Sequence, residues 1–176
     1  MRPLLLLLFG LAALPALGQE AAPSLAAYPV RKFSGGVLGT YNALGMQSDY
    51  RFTPRWGVKL AGVHQGGYER AAEYSRAGIG LLTYSLPTNL KWVEPVVGVG
   101  AVYTNYHWAL AGGSGDVNDL NVGAGFGTNL RFTDRFRTGL HLFIVNGFRA
   151  EYQAGDMKVI DRQVRVFPAL TLDVIL

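Results

Sequence analysis

The chain of 176 residues contains no cysteine and few charged side chains. The absence of cysteine excludes disulfide bonds and thiolate metal sites. Charged residues make up 16% of the chain, whereas soluble domains contain roughly 25%, so few side chains are available to cover a solvated surface. The net charge of +4 is spread along the chain without a run of lysine or arginine, which argues against nucleic acid as a partner.

Long apolar runs are missing after the N-terminus. No stretch there approaches 18 uninterrupted apolar residues, which excludes a transmembrane helix, and no stretch shows the 3.6-residue periodicity of an amphipathic helix. Glycine is abundant instead, at 23 residues, and hydrophobic residues make up 49% of the chain. Membrane contact, if it occurs, must therefore be made by strands.

The N-terminus itself has the pattern of a secretory signal peptide. Arg2 precedes an apolar segment at residues 4–14, and a small-residue cleavage sequence follows at 16–18. We predict a signal peptide over residues 1–18 and a short periplasmic lead over residues 19–32. An N-terminal membrane anchor is the alternative. Because no cysteine follows the cleavage position, a lipid-anchored lipoprotein is not expected.

Residues 120–132 read LNVGAGFGTNLRF and alternate with a period of two. One set of positions is apolar, and it comprises Leu120, Val122, Ala124, Phe126, Thr128, Leu130 and Phe132. The other set is small or polar, and it comprises Asn121, Gly123, Gly125, Gly127, Asn129 and Arg131. A period of two predicts a β-strand with two different faces.

Similar alternation recurs along the rest of the chain. The eight runs cover residues 33–41, 44–52, 56–61, about 76–86, about 91–106, 120–132, 136–145 and 164–176. Tight or polar connectors at 53–55, 86–89 and 133–135 alternate with longer ones at 64–75, about 108–119 and 147–161. This pattern predicts an all-β fold, an eight-stranded antiparallel up-and-down transmembrane β-barrel over residues 33–176. A soluble barrel or sandwich with its apolar face inward is the alternative.

The composition of the two faces favours the membrane barrel. The less apolar face is rich in Gly, Ala and Thr, which suit the crowded interior of a narrow barrel better than a solvated surface. The apolar face carries aromatic residues at two levels, as a lipid–water interface selects. We predict an aromatic girdle made of Tyr41, Tyr50, Phe52, Trp56, Tyr84, Tyr103, Trp108, Phe132 and Phe136. Trp92 stays unassigned because it shares its parity with Glu94.

Two sequence stretches carry a resemblance to a known group. YRFTPRWGVKLAG at 50–62 and LRFTDRFRTGLHL at 130–142 share one strand–turn–strand pattern, with Arg-Phe-Thr, then Pro or Asp, then Arg and an aromatic residue. The chain resembles the small eight-stranded bacterial outer-membrane β-barrels, the group of the OmpA transmembrane domain, OmpX and OmpW. The resemblance implies location in the bacterial outer membrane. The chain departs from the pattern of this group in two ways. It stops with its eighth strand, so no OmpA-like wall-binding domain is expected. Its last residue is Leu176, where the group usually has Phe.

The face opposite the apolar rows carries charges that lie near the tight connectors or the C-terminus. They are Asp49, Arg51, Lys59, Glu94, Arg131, Arg137 and Asp173. Strand geometry places them at one level, at the end of the barrel that should face the periplasm. We predict that they form a lumen ion-pair network, because opposite charges that also hydrogen-bond offset desolvation. The alternative is that they face trapped water. The network resembles the interior charge cluster of the OmpA barrel.

The sequence offers little for catalysis or for metal binding. His64, His107 and His141 have no serine two residues away, and Ser75 and Ser114 are expected in loops, so an enzyme is not expected. No cofactor is expected. The segment 112–120 holds Asp116, Asn118 and Asp119 among glycines, which suits either calcium ligation or ordinary turns; no metal site is assigned.

These observations leave two leading functions and a third. The first is a non-enzymatic outer-membrane barrel, acting in membrane integrity or loop presentation, with a lumen largely closed by ion pairs. The second is a narrow passive pore or conduit for ions or small apolar molecules; the third is an adhesin. The expected partners are outer-membrane lipid and lipopolysaccharide-type headgroups, to which the mixed charges and tyrosines at 66–76 could contribute, and a monomer is expected.

Overall fold

The computed structural model describes residues 32–66, 74–110, 113–154 and 157–176. The predicted signal peptide and nearly all of the predicted periplasmic lead lie outside these residues. The described part consists of eight strands: β1 (Phe33–Gly39), β2 (Ala43–Arg51), β3 (Trp56–Gly66), β4 (Tyr74–Ser85), β5 (Val93–Leu110), β6 (Gly113–Arg131), β7 (Phe136–Ala154) and β8 (Met157–Ile175).

The strands form one closed antiparallel barrel. Each strand pairs with its neighbours in sequence, and β1 closes the sheet against β8 through the register Ser34↔Ile175 to Gly39↔Leu170. Closure leaves no strand edge in the barrel wall, so the backbone polar groups pair between neighbouring strands and do not end at an open edge. The predicted fold class is confirmed. Within the described residues, no helix has the length and apolarity needed to cross a membrane.

The alternating positions point to opposite sides of the wall. The outer side carries large apolar residues that are well exposed, including Leu44, Met46, Leu60, Leu120, Val122, Leu140, Val166, Leu170 and Leu172. The inner side carries glycine, threonine and charged residues. Its middle layer is a small apolar core of Leu38, Ala61, Leu81, Phe143 and Ala169. A soluble barrel would show the reverse arrangement, with the large apolar side chains inside.

Two connectors predicted as loops are largely strand. Residues 113–119 belong to β6 and residues 147–154 to β7, where loops were expected from the glycines and the polar residues. The pairs Trp108↔Gly115 and Gln153↔Lys158 show that both hairpins continue far along the strands. Pairing between β6 and β7 stops at Val122↔Asn146. The β5–β6 and β7–β8 hairpins therefore extend beyond the barrel as separate ribbons. We call this end the hairpin end, and the end with connections 52–55, 86–92 and 132–135 the turn end.

Glycine is needed inside the barrel at position 36, where β1 faces β8. A Cβ added at Gly36 would lie 2.7 Å from Asp173 Cα and would also meet the Leu172 carbonyl oxygen. At the neighbouring Gly35, which points outward, an added Cβ would find its nearest atom, the Gln47 carbonyl oxygen, at 3.7 Å. The close approach of the two strands therefore depends on Gly36 and not on Gly35.

We expect Gly36→Ala to lower the free energy of unfolding by about 1–3 kcal/mol, because the extra methyl group must push β8 away. Gly35→Ala is the matched control and should change stability by less than about 0.5 kcal/mol. Urea titration of the barrel in phospholipid vesicles, followed by tryptophan fluorescence, measures both. Equal effects of the two substitutions would contradict the close packing of β1 on β8.

Candidate functional site

Arg137 is at the centre of the charged cluster inside the turn end of the barrel. Its Nε donates to Asp173 Oδ2 at 2.8 Å, and its Nη2 donates to Ser34 Oγ at 2.8 Å. The same Nη2 also contacts a carboxylate oxygen of Asp49. Arg137 and Asp173 are almost completely buried. One guanidinium group thus links β1, β2, β7 and β8 across the lumen.

Lys59 adds a second positive charge to this cluster from β3. Its Nζ lies 3.4 Å from Asp49 Oδ2 and donates to Gln47 Oε1 at 3.3 Å. The amide of Gln47 in turn donates to Asp173 Oδ1 at 2.6 Å. Two bases and two acids are therefore held together by side-chain contacts. Desolvation of each charge is offset by an opposite charge and by hydrogen bonds.

A smaller ion pair spans the lumen beside this cluster. Arg51 Nη2 of β2 contacts Glu94 Oε1 of β5, and Ser85 Oγ of β4 donates to the same carboxylate oxygen at 2.6 Å. Both charged side chains remain 18% exposed, which is more than the central cluster allows. This pair crosses the barrel between strands that are not neighbours.

The predicted lumen residues are thus found on the inner side, and most of them contact one another. Arg131 also faces inward and lies beside Arg137 in the β6–β7 register. The prediction did not include Ser34, Gln47 and Ser85, which supply the neutral hydrogen bonds. Their parity could have indicated an inward position. A polar uncharged residue on the inner face does not by itself reveal which charge it will contact.

A buried polar layer separates the charges from the middle of the barrel. His141 Nε2 lies 3.1 Å from Asn129 Oδ1, and both residues are buried. A Cβ added at Gly139 would contact both of these atoms and also Thr171 Oγ1, so the layer has room only for glycine at this position. This layer continues the closure of the lumen upward to the apolar core at Phe143.

The lumen near the hairpin end is apolar. A cavity of about 50 Å³ is lined by Leu38, Thr40, Ala43, Val63, Gln65, Ser75, Ala77, Ile79, Val102, Thr104, Phe143, Val145 and Phe167. A cavity of this size admits a few water molecules at most. The lumen is therefore filled with side chains over most of its length, as expected for eight strands.

Most of the predicted girdle residues lie on the outer side at two levels. At the turn end, Tyr50, Phe52, Trp56, Phe132 and Phe136 are exposed. Tyr84 is half-buried because its ring packs against Trp56 at a centroid distance of 4.8 Å. At the hairpin end, Tyr103 is exposed on β5, and Tyr41 is exposed in the turn after β1.

The two other tryptophans, Trp108 and Trp92, do not lie on the outer face of a strand. Trp108 shares its parity with the buried Val102 and Thr104, so it belongs to the inner face of the β5–β6 ribbon, where it packs on Gly115. Its assignment to the girdle therefore does not agree with the structure. Trp92 precedes β5 and is 56% exposed at the turn end. The parity of the strand does not apply to a residue in the connection.

The other candidate chemistry is dispersed by the strands. Asp116 and Asn118 lie on one face of β6 and Asp119 on the other, because 113–119 is strand and not a loop. Among the described residues, no cluster of three metal-ligand side chains occurs. Ser75 and Ser114, expected in loops, lie on β4 and β6. His107 Nδ1 contacts Asp116 Oδ1 at 3.1 Å on the outer side of the β5–β6 ribbon.

Comparison with known proteins gives matches in structure only. No family profile matches the sequence, and no curated protein matches it. The N-terminal β-barrel domain of Pseudomonas aeruginosa OprF superposes with a TM-score of 0.61 at 13% identity, covering 81% of this chain and 94% of that one. Neisserial surface protein A gives a TM-score of 0.59 at 11% identity, with 82% and 94% covered. The outer-membrane protein OprG of Pseudomonas aeruginosa gives 0.58 at 12% identity, with 81% and 91% covered.

The chain therefore has the fold of the small eight-stranded outer-membrane β-barrels, as the resemblance in the sequence implied. The exposed apolar outer face agrees with the outer-membrane location predicted from the sequence.

Proposed function

We propose that this protein is a non-enzymatic structural barrel of the bacterial outer membrane, which stabilises the membrane and presents its hairpins outside it. The observation that carries the proposal is the filled lumen. The ion pairs around Arg137, the His141 layer and the apolar core at Phe143 close the barrel in succession from the turn end. A rigid closed cylinder with an apolar outer band is suited to fill and order a bilayer.

The test is a comparison of bacteria with and without the gene. We expect the deletion strain to become several-fold more sensitive to detergents and to large hydrophobic antibiotics, because the outer membrane normally excludes both. The purified barrel in a planar bilayer should show no discrete conductance. Restoration of resistance by the wild-type gene is the control. Unchanged sensitivity would contradict the membrane-stabilising role.

A narrow pore or conduit is the second candidate. It is favoured by the position of the Arg51–Glu94 pair, which is more exposed than the central cluster, and by the apolar lining of the lumen near the hairpin end. Discrete channel openings that change with Glu94→Ala or Lys59→Ala would favour this candidate over the closed barrel.

Presentation of a surface to partners is supported by the two ribbons. The strands β5–β8 have 18 or 19 residues each, whereas a tilted strand crosses the bilayer with about 9–11. Each ribbon therefore projects well beyond the membrane. An adhesin role would use these ribbons and would not depend on the lumen.

A further inference from the structure

The outer wall has an open depression between β2 and β5, which we call the groove. It has a volume of about 600 Å³. The outward-facing residues that line it are Met46, Ser48, Leu60, Gly62, Gly78, Gly80 and Tyr103, and the inward-facing Gln47, Ala61 and Ile79 lie at its floor. At its centre Gly62 pairs with Gly78 across β3 and β4, and a Cβ added at either residue would meet no atom within 4 Å. The groove is thus a gap in an apolar wall, bordered by Met46, Leu60 and Tyr103.

A cluster of basic and aromatic side chains lies directly above this groove, toward the hairpin end. In the register, His64 pairs with Arg76 on the same outer face, one outward position above Gly62 and Gly78. The guanidinium carbon of Arg76 lies 4.8 Å from the centre of the Tyr74 ring. Tyr74 also stacks on His107 at 4.8 Å and lies 6.0 Å from His64.

This cluster lies at the level expected for the outer membrane interface. His64 is eight residues beyond Trp56 on β3, which corresponds to roughly 20 Å along the barrel axis at a strand tilt of about 40°. The apolar band of such barrels is about 25 Å tall. With Trp56 at one interface, His64 and Arg76 are close to the other.

We propose that the groove and the cluster together form a binding site for one phosphorylated lipid of the outer leaflet. An acyl chain would lie in the groove over Gly62 and Gly78, and the phosphate would lie against Arg76 and His64. Arginine binds phosphate through paired N–H groups, and the Tyr74 ring holds the guanidinium in place. His107 is already in contact with Asp116, whereas Arg76 carries a permanent positive charge, so the attraction for a phosphate is assigned to Arg76.

A second copy of the chain fits this face less well. In a symmetric dimer the same patch meets itself, which would place Arg76 and His64 of both copies against each other. An anionic lipid in place of the second copy is instead attracted to the positive charge on this face. The acyl chain gains contact but little hydrophobic free energy, because the surrounding lipid is equally apolar. Selectivity must therefore come from the phosphate.

The proposal rests on the proposed membrane role and names the lipid that the barrel would hold. It is tested by native mass spectrometry of the purified barrel with bisphosphorylated lipid A and with the same lipid A after removal of its phosphates. We expect wild-type protein to retain the phosphorylated form about tenfold better, as two or more charge-assisted hydrogen bonds allow. Arg76→Gln should abolish this preference, and Gly78→Leu should weaken retention of both forms by filling the groove.

Two matched controls keep the test specific. Lys91→Gln removes an exposed positive charge at the turn end, and Gly35→Leu adds the same bulk to the outer face of β1; neither should change retention. Equal retention of the two lipids by wild-type protein, or an unchanged preference in Arg76→Gln, would overturn the proposal. A dimer that Gly78→Leu dissociates would overturn it too, by assigning the groove to a second copy. Because the assay uses purified protein, its failure would leave the membrane-stabilising role in place.

Discussion

Arg137→Ala should destabilise the barrel by about 3–5 kcal/mol, which is the cost of leaving a buried charge without its partner. The substitution leaves the carboxylates of Asp49 and Asp173 inside the lumen after removal of the guanidinium that bridges them. Asp173 is 1% exposed, so its carboxylate has little contact with bulk water to compensate for the lost guanidinium. Lys59 and Gln47 remain, but each reaches only one of the two carboxylates. Urea unfolding in phospholipid vesicles measures the loss.

Two further variants identify the cause of that loss. Arg135→Ala removes an exposed arginine two residues earlier in the turn and should cost less than about 0.5 kcal/mol. Adding Asp173→Asn to Arg137→Ala should recover part of the lost stability, because it removes one of the unpaired charges. A loss below about 1 kcal/mol for Arg137→Ala would show that the network does not stabilise the barrel.

Leu140→Arg should destabilise the barrel in a bilayer by about 2–4 kcal/mol, the cost of arginine on the lipid face near the membrane midplane. Leu140 is 63% exposed on β7, directly opposite Leu170 of β8, which is equally exposed. Both lie between the girdle residue Phe136 and the hairpin end. In water an arginine at such an exposed position would be harmless, so the size of the effect reports which solvent surrounds this face.

The matched control is Asp134→Arg in the exposed connection 132–135. It introduces the same side chain outside the apolar band and should leave the unfolding free energy nearly unchanged. Unfolding in vesicles compared with unfolding in detergent shows whether the cost follows the bilayer. A neutral Leu140→Arg in vesicles would contradict the assignment of the apolar rows to lipid.

The sequence alone was sufficient for the architecture. Alternation with a period of two in 120–132 and its counterparts assigns each residue to one of two faces, and this parity holds for Leu140, Arg137 and Asp173 in the structure. The reason is geometric: successive side chains of a strand point to opposite sides whatever the neighbouring strands are. Tight connectors with aromatic residues beside them then indicate the ends of the membrane band.

Strand ends were less predictable than strand faces. The glycines and polar residues at 112–120 suggested a loop, and the structure shows β6 over most of this segment because it pairs with β5 up to Leu110↔Gly113. Beyond the membrane, a ribbon no longer needs large apolar residues on its outer face. Its sequence therefore loses the alternation from which strands are predicted, although its hydrogen bonds continue.

The alternation in the sequence was enough to place a set of charged residues on the inner face, near one end of the barrel. They are Asp49, Arg51, Lys59, Glu94, Arg137 and Asp173. Only the tertiary structure decided that Arg137 joins both Asp49 and Asp173, that Arg51 reaches across to Glu94, and that Gly62 and Gly78 leave a groove beneath Arg76. The physical reason is that facing depends on positions within one strand, whereas partners depend on register, on barrel closure and on side-chain lengths across the lumen.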